Sequence, residues 1–326
     1  MNISILGAGA WGSALARHLG QDDHHLTLWD YDTTNLLEMV RTRRNDKYLP
    51  GIDLPSGFHA EPDLAAAARG SECIVVAAPS KGIKQVASVL GAFQGILVTV
   101  TKGIDYDTGL TMSGLLAKGA PEAKIVALSG PTLALEVARQ IPTAAVAASV
   151  NEPAAQTVQS LFHKPAFRVY TSNDIVGVEL GGALKNVIAI GAGVCDGLGF
   201  GDNSKAALVT RAIVEIRRLG VACGAQPETF AGLSGLGDLV VTCFSKLSRN
   251  RMLGENLGRG TPLDQILSGT VSVAEGYPTS KSAWQLARAH NVSTPIIDQV
   301  YAMLHQAKPV AQAVHDLTAR ESKPEA

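Results

Sequence analysis

Lys185 is the only charged residue between Glu179 and Asp196, and it lies in the small, apolar run Leu180-Gly-Gly-Ala-Leu-Lys-Asn-Val-Ile-Ala-Ile190. A run that is apolar around nearly its whole circumference reads as a buried helix. Burial disfavours the ammonium form, drawing a lysine's pKa toward the range where it exchanges a proton at neutral pH. Two further polar clusters carry complementary chemistry. Gly235-Leu-Gly-Asp238 offers a carboxylate beside glycines, able to keep Lys185 charged and oriented. Ser248-Arg249-Asn250 gathers a hydroxyl, a guanidinium fork and an amide, a set suited to a phosphate dianion. Each cluster has an alternative reading as a capped surface turn. Gly181 and Gly182, one turn before Lys185 and Asn186, predict room for a ligand against the helix.

Gly7-Ala-Gly9-Ala10-Trp11-Gly12 directly follows a β-rich run and opens a helical one, Ser13 to Leu19. In that setting the first glycine permits a tight turn and the second lets a pyrophosphate approach the backbone. The third allows close helix packing, with the helix N-terminus facing the anion. Asp30 ends the next β-rich run, 18 residues after Gly12, where a carboxylate accepts from adenosine ribose hydroxyls and repels a 2′-phosphate. With no arginine or lysine between Asp30 and Arg41, NAD(H) is the expected cofactor, ahead of NADP(H). The competing reading has Asp30 or Asp32 capping a helix that starts near Thr33. Thr101-Lys102-Gly-Ile104 and Ser129-Gly130-Pro-Thr132 follow the fourth and fifth β-rich runs, and ligands gather at the carboxyl ends of strands in an open parallel sheet. Alternatively, Lys102 is a solvated loop lysine and Ser129 to Thr132 only a turn starting the helix Leu133 to Arg139.

These side chains need a scaffold, and the pattern supplies one. Strands are expected near Ile3 to Leu6, Leu26 to Trp29, Ile74 to Ala78, Ile96 to Thr101, Ile125 to Leu128 and Ala144 to Ala148, with helical stretches between them. Such alternation predicts an α/β fold with a Rossmann-like parallel sheet and right-handed crossovers. A helix from Glu152 to Phe162 and a strand from Phe167 to Tyr170 complete it. From Asp174 onward only helical periodicity remains, so the expected division is a dinucleotide-binding domain, 1–172, and an all-α substrate and catalytic domain, 173–326.

At 326 residues, 46% hydrophobic and 17% charged, the chain is too apolar for disorder and long enough for two cores. A formal net charge of -1 gives no global field for nucleic acid or an acidic membrane, so any anion must be held locally. Cys73, Cys195, Cys223 and Cys243 lack CxxC spacing and the eight histidines form no HxxxH pair, which predicts reduced core cysteines, no metal and a cytoplasmic protein. No targeting segment and no apolar run long enough to span a bilayer is expected. The glycine-lined helices predict a homodimer.

The ordered motifs together resemble the bacterial-type NAD(P)-dependent glycerol-3-phosphate dehydrogenases, from Gly7-Ala-Gly-Ala-Trp-Gly-Ser-Ala-Leu-Ala16 through Tyr48-Leu-Pro50, Lys102-Gly-Ile104, Ser129-Gly-Pro-Thr132 and Glu179 to Ile190. They continue through Asp196-Gly-Leu-Gly199, Thr210-Arg211, Glu215, Arg218-Leu-Gly220, Gly232 to Leu239, Thr242-Cys243, Ser248-Arg-Asn250 and Ala274-Glu-Gly276. The resemblance implies a helical half like the C-terminal domain of 6-phosphogluconate dehydrogenase, and reversible reduction of dihydroxyacetone phosphate to sn-glycerol 3-phosphate for glycerophospholipid synthesis. It implies that Lys185 is the acid/base beside Asp238, and that Lys102, Gly130, Thr132, Asp238, Ser248, Arg249 and Asn250 hold the substrate. Gly7, Gly9, Gly12, Trp11, Asp30, Lys102, Ala134, Arg249, Val273 and Glu275 would line the dinucleotide site. Ala10 and Tyr31 stand at cofactor positions where the family often has serine and a basic residue, which agrees with the NAD(H) expectation. Lys84 replaces a usual arginine. The rival readings are a related two-domain hydroxyacid dehydrogenase and a non-catalytic NADH-sensing module.

Overall fold

The computed structural model describes residues 1–269, 274–321 and 324. Among these residues ten strands form: β1 Asn2–Leu6, β2 His25–Trp29, β3 Arg44–Asn45, β4 Leu49–Asp53, β5 His59–Ala60, β6 Cys73–Val76, β7 Ile96–Thr99, β8 Lys124–Ser129, β9 Thr143–Ala148 and β10 Phe167–Ser172. Eight make one sheet, in the order β10-β9-β8-β7-β6-β1-β2-β5, while β3 and β4 pair separately as an antiparallel ribbon. Side chains alternate across the sheet as a period of two requires: Ile5 and Val75 join one buried cluster, and Leu6, Ile74 and Val76 join another on the opposite face.

The sheet departs from the parallel expectation at one joint. β8 and β9 run antiparallel, with Ala127 opposite Ala148 and Ser129 opposite Val146. The one helix between them, Ala134–Ala138, has five residues and rises about 7.5 Å, too little to run back along a six-residue strand of about 20 Å. The eleven-residue helix Glu152–Phe162 does make that crossing, so β10 again runs parallel to β9. Strands β3, β4 and β5 were not foreseen, because two-residue pairings carry no periodicity to read.

After β10 every regular element among the described residues is a helix. The central helix, Ile175–Gly197, is capped by Asp174, whose side chain accepts from the Gly177 N–H, and every residue from Gly177 to Val194 is buried. By length and composition this helix could cross a bilayer, contrary to the sequence expectation, but it is enclosed by protein. Its small residues admit other backbones. A Cβ on Gly193 would lie 1.9 Å from the Arg251 carbonyl oxygen, and one on Gly254 would lie 1.9 Å from that of Ile190, so the helix Arg249–Gly258 packs backbone against backbone on the central helix. Glu179 ties the central helix to the sheet half. Its buried carboxylate accepts from the Ser113 N–H at 2.9 Å and from the Ser113 hydroxyl, near the start of the helix Met112–Gly119. Burial raises the Glu179 pKa against those bonds. Glu215 is likewise spent on architecture, accepting from the Ile296 and Ile297 N–H groups at the start of Pro295–His305.

Candidate active site

The glycine turn sits where β1 meets the helix Ala10–Leu19, and its three glycines answer to different demands. Gly7 has φ +112°, and a Cβ there would fall 2.6 Å from the Ala78 nitrogen. A Cβ on Gly12 would fall 1.8 Å from the Gly7 carbonyl oxygen, so only glycine lets the helix pack on the turn. Gly9 is different: nothing lies within 4 Å of its Cβ position. Gly9 is also the N-cap, makes no side-chain cap, and no acidic residue occupies the first helical turn. Open space beside uncapped helix N–H groups fits a pyrophosphate. Gly9→Ala is therefore expected to leave the thermal midpoint within about 2 °C of wild type while weakening NADH binding about tenfold or more, read by fluorescence titration. Unchanged binding would remove the pyrophosphate from this position.

Both readings of the acidic pair hold a part of the answer. Asp32 caps the helix Thr33–Thr42, accepting from the Asn35 N–H at 3.0 Å, and pairs with Lys47 at 2.6 Å. Asp30 caps nothing. Its carboxylate accepts from the Ala8 N–H at 2.6 Å and the Asp32 N–H at 2.9 Å, at the mouth of the glycine turn. Burial raises the Asp30 pKa and the two backbone bonds oppose the rise. Tyr31 is 82% exposed. Ala10 opens the helix, and Trp11 packs with Ala134 around Ala14, Leu49, Ile52 and Ala138, which brings β4 and the short helix after β8 to the same turn.

The lysine site is assembled from three distant segments. Lys185 comes from the central helix and Lys102 from the loop after β7. Asp238 comes from the start of the helix Asp238–Phe244, which follows a single π-turn, Leu233–Gly237. One carboxylate holds both ammonium groups: Lys185 Nζ lies 2.8 Å from Asp238 Oδ1, and Lys102 Nζ lies 2.5 Å from Oδ2. The Asp238 side chain is 1% exposed, that of Lys185 8% and that of Lys102 18%. Lys185 also donates to the Thr242 hydroxyl at 2.6 Å, which itself donates to the Asp238 carbonyl at 2.6 Å. Lys102 donates its second bond to the Gly130 carbonyl at 3.1 Å. An ammonium has three N–H bonds, so each lysine keeps one for a ligand. Desolvation pulls the Lys185 pKa down to about 8, with Asp238 resisting and the Lys102 charge assisting the fall. Thr242 had no role assigned from the sequence; its position four residues after Asp238, on one helix face, was the available signal.

The glycines before Lys185 divide. A Cβ on Gly182 would lie 2.7 Å from Ser129 Oγ and 3.5 Å from the Lys102 side chain, so this glycine does face the lysine site. One on Gly181 would lie 2.6 Å from the Ser234 carbonyl oxygen. The room expected there for a ligand is filled by the π-turn that delivers Asp238.

Ser248 caps the helix Arg249–Gly258, accepting from the Arg251 N–H at 3.2 Å. Arg249 makes no ion pair within 4 Å among the described residues, and desolvation lowers its pKa, opposed by the charge of Glu275. Asn250 is more committed than its motif implied. Its Nδ2 donates to Asn186 Oδ1 at 2.9 Å and its Oδ1 accepts from the Gly276 N–H at 2.8 Å, so a single Nδ2 hydrogen remains for a phosphate. Glu275 reaches the sheet half, accepting from the Ser80 N–H at 3.1 Å and the Ser80 hydroxyl at 2.6 Å. Thr132 Oγ1 donates to the Gly130 carbonyl at 3.2 Å. Lys84 pairs with Asp105 at 2.9 Å and Asp107 at 2.5 Å, an exposed tie from the helix after β6 to the loop after β7. Val273 lies outside the described residues.

Comparison with known proteins follows the same division of the chain. The model of the NAD-dependent glycerol-3-phosphate dehydrogenase N-terminus matches residues 2–155, and that of the C-terminus of the same family matches residues 174–315. A glycerol-3-phosphate dehydrogenase [NAD(P)+] from Geobacter sp. strain M21 is 47% identical over 99% of this chain and 98% of its own length. One of the same name from Syntrophotalea carbinolica is 49% identical over 100% and 99%. The crystal structure of glycerol-3-phosphate dehydrogenase from Coxiella burnetii superposes with a TM-score of 0.94 at 36% identity, covering 98% of this chain and 99% of that one.

Proposed function

We infer the division of labour in this cleft from one premise: the chain belongs to the NAD-dependent glycerol-3-phosphate dehydrogenase family. It is an NAD(P)-dependent enzyme that interconverts dihydroxyacetone phosphate and sn-glycerol 3-phosphate, and we propose that its product supplies the backbone of glycerophospholipids. The observation that carries the mechanism is the pair of lysines chelated by Asp238.

The nicotinamide, when bound, supplies or accepts hydride at the substrate's central carbon. The protein must polarise the ketone and deliver a proton to the oxygen. Lys185, kept an ammonium by Asp238 and aimed by Thr242, turns its remaining N–H to that oxygen and donates. Lys102 supplies a second positive charge at the same carboxylate and fixes the Gly130 carbonyl, which shapes the turn Ser129 to Thr132 against the substrate. Arg249, with no ion pair among the described residues, receives the phosphate, assisted by the remaining N–H of Asn250 and the Ser248 segment. Anchoring the phosphate away from the reacting carbon converts binding energy into alignment. Asp30, Gly7, Gly9, Gly12, Trp11, Ala134, Arg249 and Glu275 form the dinucleotide surface, and the half-buried Asp30 carboxylate at its rim favours NADH over NADPH. Following oxidation of each reduced cofactor with dihydroxyacetone phosphate tests this reading. A kcat/KM ratio of about tenfold or more in favour of NADH is expected, and a clear NADPH preference would remove Asp30 from the selecting role.

The two lobes are taken as residues 1–172 and 173–326, in a cytoplasmic protein whose four cysteines remain unpaired. A homodimer is supported by an apolar stripe along the π-turn and the helix after it. Leu236, Val240 and Phe244, spaced four apart, are 39%, 41% and 44% exposed, with Leu247 at 49% beyond them. Sedimentation equilibrium at micromolar concentration should give twice the mass of one chain. A monomeric mass would leave the stripe without its partner.

A further inference from the structure

We propose that Asn45 is a positioning residue for the dinucleotide: it aims the Gly9 N–H outward from the glycine turn and links that turn to the adenosine end of the site. This rests on the assignment of NAD(H) to the turn.

Asn45 lies in β3, in the ribbon that follows the second helix, and is 1% exposed. All of its polar capacity is used. Nδ2 donates to the Ala8 carbonyl at 2.7 Å and to Ser13 Oγ at 2.8 Å. Oδ1 accepts from Asn35 Nδ2 at 3.2 Å and from the Tyr48 N–H at 3.3 Å. A side-chain amide offers two hydrogens and one carbonyl oxygen, so no bond is left over. Such full use of a buried amide, reaching back to a turn 37 residues earlier in the chain, is costly to arrange unless the turn needs it.

Planarity of the peptide unit supplies the reason. The Ala8 carbonyl and the Gly9 N–H share one trans peptide plane and point in opposite directions. By drawing the Ala8 carbonyl inward, Asn45 turns the Gly9 N–H outward. That N–H finds no acceptor among the described residues, and the space beside Gly9 is open. The preceding peptide is fixed independently, since the Ala8 N–H donates to Asp30 Oδ2 at 2.6 Å. Ser13 Oγ adds a bond of 3.1 Å to the Ala8 carbonyl, braced by the same Nδ2 of Asn45. Both peptide planes around Ala8 are therefore set before any ligand arrives, which lowers the cost of ordering the turn on binding. Through Oδ1 the same residue holds Asn35, in the helix capped by Asp32, and Tyr48, next to the Lys47 that pairs with Asp32. One buried hub thus ties the glycine turn to the helix and ribbon that flank Asp30.

The test is Asn45→Ala, measured by NADH fluorescence titration, full kinetics and thermal melting. The dissociation constant and KM for NADH should rise about tenfold, with kcat at saturating NADH and KM for dihydroxyacetone phosphate changed by about threefold or less. A role confined to stability would lower the melting temperature and leave the NADH constants of the folded protein at wild-type values, and that outcome overturns the proposal. Ser13→Ala covers the case in which Asn45→Ala does not fold. It removes the neighbouring bond to the same carbonyl and should raise the NADH dissociation constant about threefold; no change would again overturn the proposal. A wild-type chain that fails to bind NADH overturns the cofactor assignment itself, whereas equal binding by wild type and Asn45→Ala overturns only the part given to Asn45.

Discussion

Lys185→Ala is expected to lower kcat for reduction of dihydroxyacetone phosphate by about 100-fold or more, the usual range for a positioned proton donor, while the NADH dissociation constant stays within about twofold. The two halves of that result have separate origins. Lys185 lies on the central helix and bonds Asp238 and Thr242, whereas the glycine turn is organised by Asp30 and Asn45. Alanine removes the only N–H that Lys185 has left to donate, and leaves the turn untouched. A variant with near-normal turnover would return Lys185 to the status of a buried counter-ion for Asp238.

Asp238→Ala should be worse in two respects. A single carboxylate neutralises two ammonium groups, and its loss leaves like charges close together in a buried site. Breaking a buried ion pair from one side costs about 3–5 kcal/mol, which a shift of the denaturant midpoint would report. Activity should fall by about 100-fold or more as well, because Asp238 is what opposes the desolvation that drives Lys185 toward the neutral form. Asp238→Asn separates the effects: it keeps the shape but not the charge, so the Lys185 pKa should move below about 8. Wild-type stability in Asp238→Ala would mean that the lysines neutralise themselves by some other route.

What the sequence made legible was local. The glycine spacing after β1 and the lone charge in the apolar run Leu180 to Ile190 are one-dimensional signals, and each fell on the element it predicted. The helical second half was equally plain from its periodicity. Less was legible where meaning depends on what arrives from elsewhere in the chain. Gly181 looked like room for a ligand, yet it admits the backbone at Ser234. Asn250 looked free to hold a phosphate, yet most of its amide is engaged by Asn186 and Gly276. Asn45, in an unremarked stretch of arginines and polar residues, is the hub of the glycine turn, and no spacing rule pointed to it. The antiparallel joint between β8 and β9 goes with the shortness of the helix Ala134–Ala138, a boundary property that propensities resolve poorly.

The central claim is that Lys185 is the proton donor and that Asp238 sustains its charge. Its most direct test is the pH dependence of kcat/KM for dihydroxyacetone phosphate reduction, which reports the free enzyme. The acid form of Lys185 exists below its pKa, so the wild-type profile should fall as pH rises through about 8, and that limb should be absent from the residual activity of Lys185→Ala. An identical alkaline limb in the variant would show that another group gives up the proton, and would contradict the account.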